Sequence, residues 1–212
     1  MPHHKTGPSA PTSSTRARVL AAAERLLATG QPEFSMRELA AAAGVSFATP
    51  FNQFGSKAAI MHALSADRIA TMHERFAGSA PAGNGPARVL AAVEIAAAVM
   101  LELPAVNRVV MGALGAPGSK PGNVLARSRA LWAEALGDAR EFSDPELARA
   151  VLPDQLAFAF RGVLSFWTAG EIADADLVAR ARAAAASTLL GFAKPASRRE
   201  LVAILAASAR RG

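Results

Sequence analysis

Several features that would direct this chain to a membrane or to an oxidising compartment are missing from its sequence. It has no cysteine, which excludes disulfides and thiolate metal sites. No apolar run approaches the roughly 18 to 20 residues needed to cross a bilayer. No cationic start followed by an apolar stretch and a small-residue cleavage site appears near Met1. We therefore expect a cytoplasmic protein without a membrane partner.

Strand patterns are also absent, because no β-branched run alternates between turn residues. Alanine, the strongest helix former, is abundant instead. Apolar periodicity predicts helices over 86–102, 104–114, 122–138, 145–151, 153–169, 174–193 and 196–210. The fold class is therefore predicted to be all-α, and 212 residues suffice for a small domain and a larger one.

Composition suggests where these domains begin and end. Residues 1–14 are rich in Pro, Ser, Thr and Gly and lack an apolar face, so we expect a disordered arm. A stretch of small residues, Gly78 to Pro86, is the predicted boundary between a domain at 15–75 and a second at 86–212. A loop is predicted from Gly112 to Gly122, and its glycines lack the Lys-Ser/Thr pair of a phosphate cradle.

The formal charge of +6 is concentrated at the two ends of the chain. Residues 1–18 hold three basic residues and no acid, and residues 194–212 hold five basic residues against Glu200. Basic ends are compatible with binding to phosphates, since Lys and Arg release counterions from a nucleic-acid backbone. Ordinary solubilising charge explains them equally well.

The first eighty residues carry start and stop signals for four helices. Apolar residues at helical spacing begin at Thr15, and Gly30 with Pro32 ends the run. Ser35 and Glu38 form a capping-box pattern for a second helix to Ala43. Further signals are the turn glycine Gly44, the core residue Val45, the predicted caps Ser46 and Ser56, and the stop at Gly55. Two capped helices joined by a glycine turn are the helix-turn-helix pattern, whose second helix enters the major groove of DNA.

The stretch TRARVLAAAERLLATG…FSMRELAAAAGVSFATPFNQFGSK resembles the TetR-type regulators from Thr15 to about Leu64. The matching positions are Ala23, Gly30, Ser35, Leu39, Ala40, Ala43, Gly44, Val45, Ser46, Thr49, Phe51, Phe54, Ser56 and Lys57. The resemblance implies an N-terminal three-helix helix-turn-helix DNA-binding domain and a C-terminal helical domain for ligand binding and dimerisation. Phe51 departs from the tyrosine usual in the family, and Pro50 falls in or just after the first turn of the third helix.

The predicted recognition helix, Ser46 to Gln53, contains no arginine or lysine. Asn52 and Gln53 offer amides for an adenine edge, and Phe47, Ala48 and Thr49 offer carbon atoms for thymine methyls. Phe51 keeps an aromatic ring at its position but lacks a hydroxyl for a phosphate. Predicted phosphate contacts come from the surrounding residues Thr15, Arg16, Ser35, Arg37, Ser46 and Lys57. Packing, capping or plain solvent exposure are the alternative roles of all these side chains.

For the second domain, the resemblance implies that two late helices pair with a twofold mate. The predicted interface consists of Leu156, Phe160, Val163 and Trp167 on one helix and Leu177, Ala181, Ala184, Thr188 and Phe192 on the next. Such stripes also occur in the core of a monomer.

The resemblance also implies an inducer pocket between the helices. Candidate lining residues, where apolar walls meet a few polar groups, are Met100, Asn107, Met111, Trp132, Phe158 and Arg161. Each of them is also a plausible core residue. His62 and His73 share a helix face but lack a third ligand, so no metal or cofactor is predicted.

The resulting hypothesis is a homodimeric transcriptional repressor that a small-molecule inducer releases from a palindromic operator. One alternative is an architectural DNA-binding protein without a ligand, which would show weak sequence preference and a steep salt dependence. A helical enzyme is the other, and no nucleophile or acid–base constellation in the sequence supports it.

Overall fold

The computed structural model of the protein describes residues 14–115 and 122–210. Ten helices occupy these ranges: α1 (Thr15–Ala28), α2 (Met36–Ala43), α3 (Ala48–Phe54), α4 (Lys57–Ser79), α5 (Gly85–Glu102), α6 (Pro104–Ala113), α7 (Val124–Leu136), α8 (Pro145–Thr168), α9 (Asp174–Leu190) and α10 (Pro195–Ala209). One isolated β-bridge, between Phe142 and Ala193, is the β-structure found in the described ranges. The all-α prediction is confirmed.

Two predictions fall partly outside the described residues. They are the arm at 1–14, of which Ser14 is described, and the loop at 112–122, of which the ends are described. The Ser14 hydroxyl accepts a hydrogen bond from the Ala17 amide at 3.2 Å and so caps α1. Ser14 therefore belongs to the start of α1.

The chain divides into two compact units, Met1–Ile60 and Met61–Gly212. The division falls inside α4, earlier than the boundary predicted at 78–86. The reason is that Ile69, Met72 and Phe76 are buried in the hydrophobic core of the second unit. The small-residue stretch is likewise part of that unit, since a Cβ on Gly85 would lie 2.8 Å from Cε2 of Phe142.

The first unit contains the predicted helix-turn-helix. Helices α1 and α2 pack against each other, and Val19, Leu20 and Leu27 of α1 and Leu39 of α2 are buried. Gly44 follows α2 with a φ of 62°, the left-handed conformation in which a side chain is strained. The turn therefore needs glycine at this position, as the sequence indicates.

The start of α3 differs from the prediction. Ser46 lies before the helix and does not cap it, because its hydroxyl is 2.8 Å from the Thr49 hydroxyl and the cap position is Phe47. Pro50 is the third residue of α3 and is buried. Its missing amide costs little there, since amides in the first turn of a helix have no partner within the helix.

The core of the second unit is built mainly from α5, α7, α8 and α9, which pack against one another. Trp132 and Trp167 are among its fully buried side chains. The separate helices predicted at 145–151 and 153–169 form one continuous helix, α8, with Pro153 in its interior. Burial of Leu152, Pro153 and Leu156 stabilises the helix across the proline, so tertiary packing overrides the local breaking signal.

Among the described helices, none is both long and apolar enough to span a membrane by itself, and the pair α5 and α6, which passes that test together, bends by 102°.

Candidate nucleic-acid interface and ligand cavity

Several side chains at the start of α3 and along one of its faces are exposed to solvent. Phe47 is 55% exposed and Phe51 is 44% exposed, and their rings meet edge to face with centroids 5.6 Å apart. Ala48, Asn52 and Gln53 are also exposed. Phenylalanine is usually buried in folded proteins, so two adjacent exposed rings indicate a surface that binds a partner.

Two arginines lie against aromatic rings at this end of the first unit. The Arg37 guanidinium lies 5.7 Å from the centroid of the Phe47 ring, and that of Arg16 lies 4.4 Å from the Phe54 ring. Both arginines are exposed. Cation–π contact orients each guanidinium without neutralising it, so both charges stay available to an anion.

The start of α2 has the predicted capping box. The Ser35 hydroxyl accepts from the Glu38 amide at 3.2 Å, and the Glu38 carboxylate accepts from the Ser35 amide at 2.7 Å. Hydrogen bonds from the Ser35 backbone and hydroxyl lower the pKa of Glu38. The Glu38 carboxylate is therefore held in the cap by hydrogen bonds from Ser35. Ser35 and Thr15 are both exposed at helix starts, where free amides suit a phosphate.

Lys57 is more constrained than its predicted phosphate role requires. Its ammonium donates to the Pro32 carbonyl at 2.5 Å and lies 3.7 Å from a Glu33 carboxylate oxygen and 4.7 Å from the centroid of the Phe34 ring. These contacts connect the start of α4 to the segment between α1 and α2. A phosphate would have to share the ammonium with them.

Sequence reasoning missed two arginines that hold the helix-turn-helix together. Arg18 donates to the carbonyls of Ala43 at 2.9 Å and Gly44 at 2.7 Å, and Arg25 donates to the Ala42 carbonyl at 2.9 Å. The last carbonyls of a helix lack partners and carry partial negative charge, so cations stabilise them. In the sequence, the spacing of seven residues between Arg18 and Arg25 could have indicated this role, since it places both arginines on one face of α1.

The second unit contains a cavity of about 350 Å³, within the range of small-molecule sites. All six predicted ligand residues line it: Met100, Asn107, Met111, Trp132, Phe158 and Arg161. Trp132 packs edge to face with Phe160 at 5.5 Å between centroids, and its indole N–H donates to the Ser128 hydroxyl at 3.0 Å. The lining as a whole is mostly apolar.

Asn107 is placed to shape the cavity, because its amide is already occupied. Its oxygen accepts from Arg68 Nε at 3.0 Å, and its nitrogen donates to the Met100 carbonyl at 2.8 Å.

Four further polar residues line the cavity and were not predicted from the sequence: His62, Ser65, Arg68 and Ser128. No local pattern marks them, since α4 and α7 supply them from distant parts of the chain. His73, by contrast, pairs with Glu134 at 2.8 Å.

The predicted dimer residues lie mostly inside a single chain. Leu156, Phe160, Trp167, Leu177 and Ala181 are buried in the core of the second unit. The remaining four, Val163, Ala184, Thr188 and Phe192, are half-buried. On α8 the exposed large side chains are Leu147, Phe158 and Phe166.

Comparisons with known proteins agree with the geometry of the first unit. Residues 19–64 match the model of the family described as bacterial regulatory proteins, tetR family, which confirms the resemblance. No curated protein gives a significant sequence match.

Similar solved structures share the fold. One, a TetR transcriptional regulator from Rhodococcus sp. RHA1, has 21% identity and a TM-score of 0.68, covering 85% of this chain and 97% of its own. Another, the R. erythropolis transcriptional repressor QsdR from the TetR family, has 22% identity and a TM-score of 0.60, with coverages of 87% and 98%. A gamma-butyrolactone receptor described as ArpA-like has 17% identity and a TM-score of 0.52, with coverages of 93% and 98%.

Proposed function

We propose that this chain, a DNA-binding transcriptional regulator of the tetR family, is a cytoplasmic homodimeric repressor that a small molecule releases from a palindromic operator. The observation that carries the proposal is the exposed face of α3. It holds two unburied phenyl rings and two free amide side chains beside exposed arginines. Between Glu38 and Asp67 the sequence has no acidic residue, so no carboxylate of that segment repels a phosphate backbone.

Direct readout of bases by α3 relies on amides and apolar groups. The exposed amides of Asn52 and Gln53 match the donor and acceptor of an adenine edge in the major groove. Phe47 and Ala48 are exposed and match the methyl group of thymine. We therefore assign A·T-rich half-sites to this protein, because α3 has no arginine or lysine for guanine.

Phosphate contacts come from the residues around α3. Arg16 and Arg37 are exposed and held by ring contacts, so they take the main share. Thr15 and Ser46 are exposed polar groups near helix starts and add neutral hydrogen bonds, whereas the Ser35 hydroxyl would have to release the Glu38 carboxylate, to which it donates at 2.8 Å. Lys57 contributes less, since Pro32 and Glu33 already hold its ammonium.

The dimer forms along the outer side of α8 with a second copy of the chain. Phe158 and Phe166 are eight residues apart with the half-buried Gly162 between them, so the three lie on one helix face. Two exposed rings beside a glycine allow close approach of another helix. A twofold mate also supplies the second DNA-binding head that a palindromic operator requires.

The cavity of the second unit is the site of the inducer. A gamma-butyrolactone receptor shares this fold, which supports a ligand-controlled role. If the inducer lowers affinity for DNA by some factor, the DNA complex must bind the inducer more weakly by the same factor. Coupling of about 1 to 3 kcal/mol is typical of such pairs.

Selection from random duplex DNA tests the DNA-binding role. The selected site should be a pseudo-palindrome with half-sites about one helical turn apart. Asn52→Ala should relax preference at one base pair of each half-site by about 1 to 3 kcal/mol. Arg37→Gln should instead weaken binding to all sequences alike and lower the salt slope by about one ion. A protein that selects no sequence and shows a steep salt dependence would be an architectural DNA binder.

Sedimentation equilibrium tests the dimer. Phe166→Glu should give monomers, because a carboxylate cannot be buried against the same surface of a mate without a partner. Val202→Glu on α10 is the matched control, since Val202 is exposed to a similar degree outside α8 and should stay dimeric. A Phe166→Glu variant that remains a dimer would move the interface away from this face.

A further inference from the structure

The charged side chains among the described lining residues of the cavity are basic. Among the described residues, its lining includes two guanidinium groups and an imidazole, those of Arg68, Arg161 and His62, and no carboxylate. The apolar part of the wall comes from residues such as Met100, Leu131 and Trp132. A cation would therefore find no carboxylate among these described residues to neutralise its charge.

Arg161 is the group that lacks an ionic partner. Its Nη1 lies 3.3 Å from the sulfur of Met111, and its Nη2 donates to the Met111 carbonyl at 3.3 Å. Within residues 14–115 and 122–210, no carboxylate pairs with it. Burial lowers the pKa of its guanidinium. A half-buried charge held only by neutral acceptors is costly, and an anion would offset that cost.

His62 supplies a second unsatisfied group. Its Nδ1 is buried and has no hydrogen-bond partner in the part of the chain that the structure describes. The ring also lies against the backbone of Gly122, where a Cβ would be 2.6 Å from Cε1. The imidazole is therefore confined, and leaving a buried polar atom unpaired costs about 1 to 3 kcal/mol. A polar ligand atom that reaches Nδ1 would recover part of this free energy.

The other polar side chains of the wall are less available. The Asn107 amide is used by Arg68 and the Met100 carbonyl. The Ser128 hydroxyl accepts from the Trp132 indole, which leaves its proton free to donate. The groups ready for a ligand are thus mainly donors, and the guanidinium of Arg161 adds a positive charge.

Building on the inducer role proposed above, we propose that the ligand is an amphipathic monocarboxylate, with its carboxylate on Arg161 and its apolar body against the methionine and aromatic wall. A neutral ester or lactone offers acceptor oxygens to the same donors but leaves the charge of Arg161 uncompensated. A carboxylate satisfies both the hydrogen bonds and the charge, and it can do so with the two-pronged geometry that guanidinium favours.

Three probes of equal chain length separate these chemistries: octanoate, methyl octanoate and octylamine. Each is titrated at neutral pH against the full-length protein by calorimetry, with tryptophan emission followed in parallel because Trp132 lines the cavity. Octanoate should bind about tenfold or more tightly than the ester, since a charged hydrogen-bond pair contributes about 1.5 to 3 kcal/mol. Octylamine should show no saturable binding to the protein. Absence of octanoate binding, or equal affinity for octanoate and the ester, would overturn the proposal.

Arg161→Met tests the assigned residue. This variant should lose the preference for octanoate while keeping the affinity for methyl octanoate, and Arg161→Lys should retain part of the preference. Unchanged circular dichroism and retained ester binding show that the cavity is intact. A preference for octanoate that survives in Arg161→Met would place the carboxylate elsewhere and overturn the assignment.

The same probes distinguish this inference from the repressor hypothesis. Octanoate that binds the cavity but leaves affinity for the selected DNA unchanged would keep the ligand class and reject control by inducer. Methyl octanoate that releases the DNA while octanoate does not would keep inducer control and reject the ligand class.

Discussion

The two units of this protein place the side chains of their proposed sites in opposite ways. The first exposes them, because Phe51, Asn52 and Gln53 on the seven-residue helix α3, and Phe47 just before it, are exposed to solvent. The second encloses them, because Arg161 and the unpaired nitrogen of His62 line a cavity. A protein reads DNA with side chains on its surface, which enter the groove of the duplex, whereas a small ligand is bound best where most of its own surface is buried.

The units also differ in what stabilises them. Individual polar and backbone features support the helix-turn-helix of the first unit: the capping box of Ser35 and Glu38, the left-handed Gly44 and the contacts of Arg18 with the end of α2. Long-range packing of α5, α7, α8 and α9 dominates the second. Substitutions that remove one kind of interaction should therefore have different magnitudes in the two units.

The largest effect is expected in the packed core of the second unit. Leu152 is fully buried in α8, so Leu152→Ala should lower the free energy of unfolding by about 2 to 5 kcal/mol through lost burial and a residual cavity. Leu103→Ala is the control, since Leu103 is 38% exposed, and its effect should stay within about 0.5 kcal/mol. Equilibrium denaturation in urea measures both. Equal losses would show that packing around α8 is looser than its burial indicates.

A smaller effect is expected at the turn of the helix-turn-helix. Gly44→Ala forces a side chain into the left-handed region at a φ of 62°, which should cost about 1 to 2 kcal/mol. Gly78→Ala, in α4 with nothing within 4 Å of a new Cβ, should be neutral or slightly stabilising. Thermal unfolding followed by circular dichroism compares the two. A neutral Gly44→Ala would mean that the turn can relax.

Loss of the α2 cap should have an effect of about 1 kcal/mol. Ser35→Ala removes the hydroxyl that accepts from the Glu38 amide, while Ser35→Thr keeps a hydroxyl and should retain most of the stability. Denaturant titration of the three proteins gives the difference. If Thr and Ala were equally destabilising, the hydroxyl would not be the stabilising group.

The smallest expected effect is a loss of the stability contributed by Glu38 at acidic pH. Because hydrogen bonds from Ser35 lower the folded-state pKa of Glu38 below its ordinary value of 4.5, the ionised carboxylate contributes stability above that value. The contribution should disappear as the pH falls from about 5 through the lower folded-state pKa. The difference in free energy of unfolding between wild type and Glu38→Gln, measured across this range, should shrink on acidification. A difference independent of pH would remove the ionic part of the cap.

Prediction from sequence succeeded where the signal was local. The box at Ser35, the αL glycine at Gly44 and the cap at Ser56, which accepts from the Ala59 amide at 3.2 Å, are each set by residues within one helical turn. It failed at Pro153, where a local helix breaker lies inside α8, and at Ser46, whose hydroxyl pairs with Thr49. The outcome at Pro153 depends on surrounding packing that no short window of sequence contains, whereas at Ser46 two local contacts compete, the cap and the Thr49 hydroxyl three residues on.

The sequence by itself determined the all-α class and the helix-turn-helix, because periodicity, caps and turn glycines act over a few residues. Only the tertiary structure decided that α4 divides between the two units, that Leu156 and Trp167 belong to one chain's core, and that His62 joins Arg161 in the wall of one cavity. These features depend on contacts between residues up to a hundred positions apart. Which faces of amphipathic helices meet is fixed by the packing of all of them together.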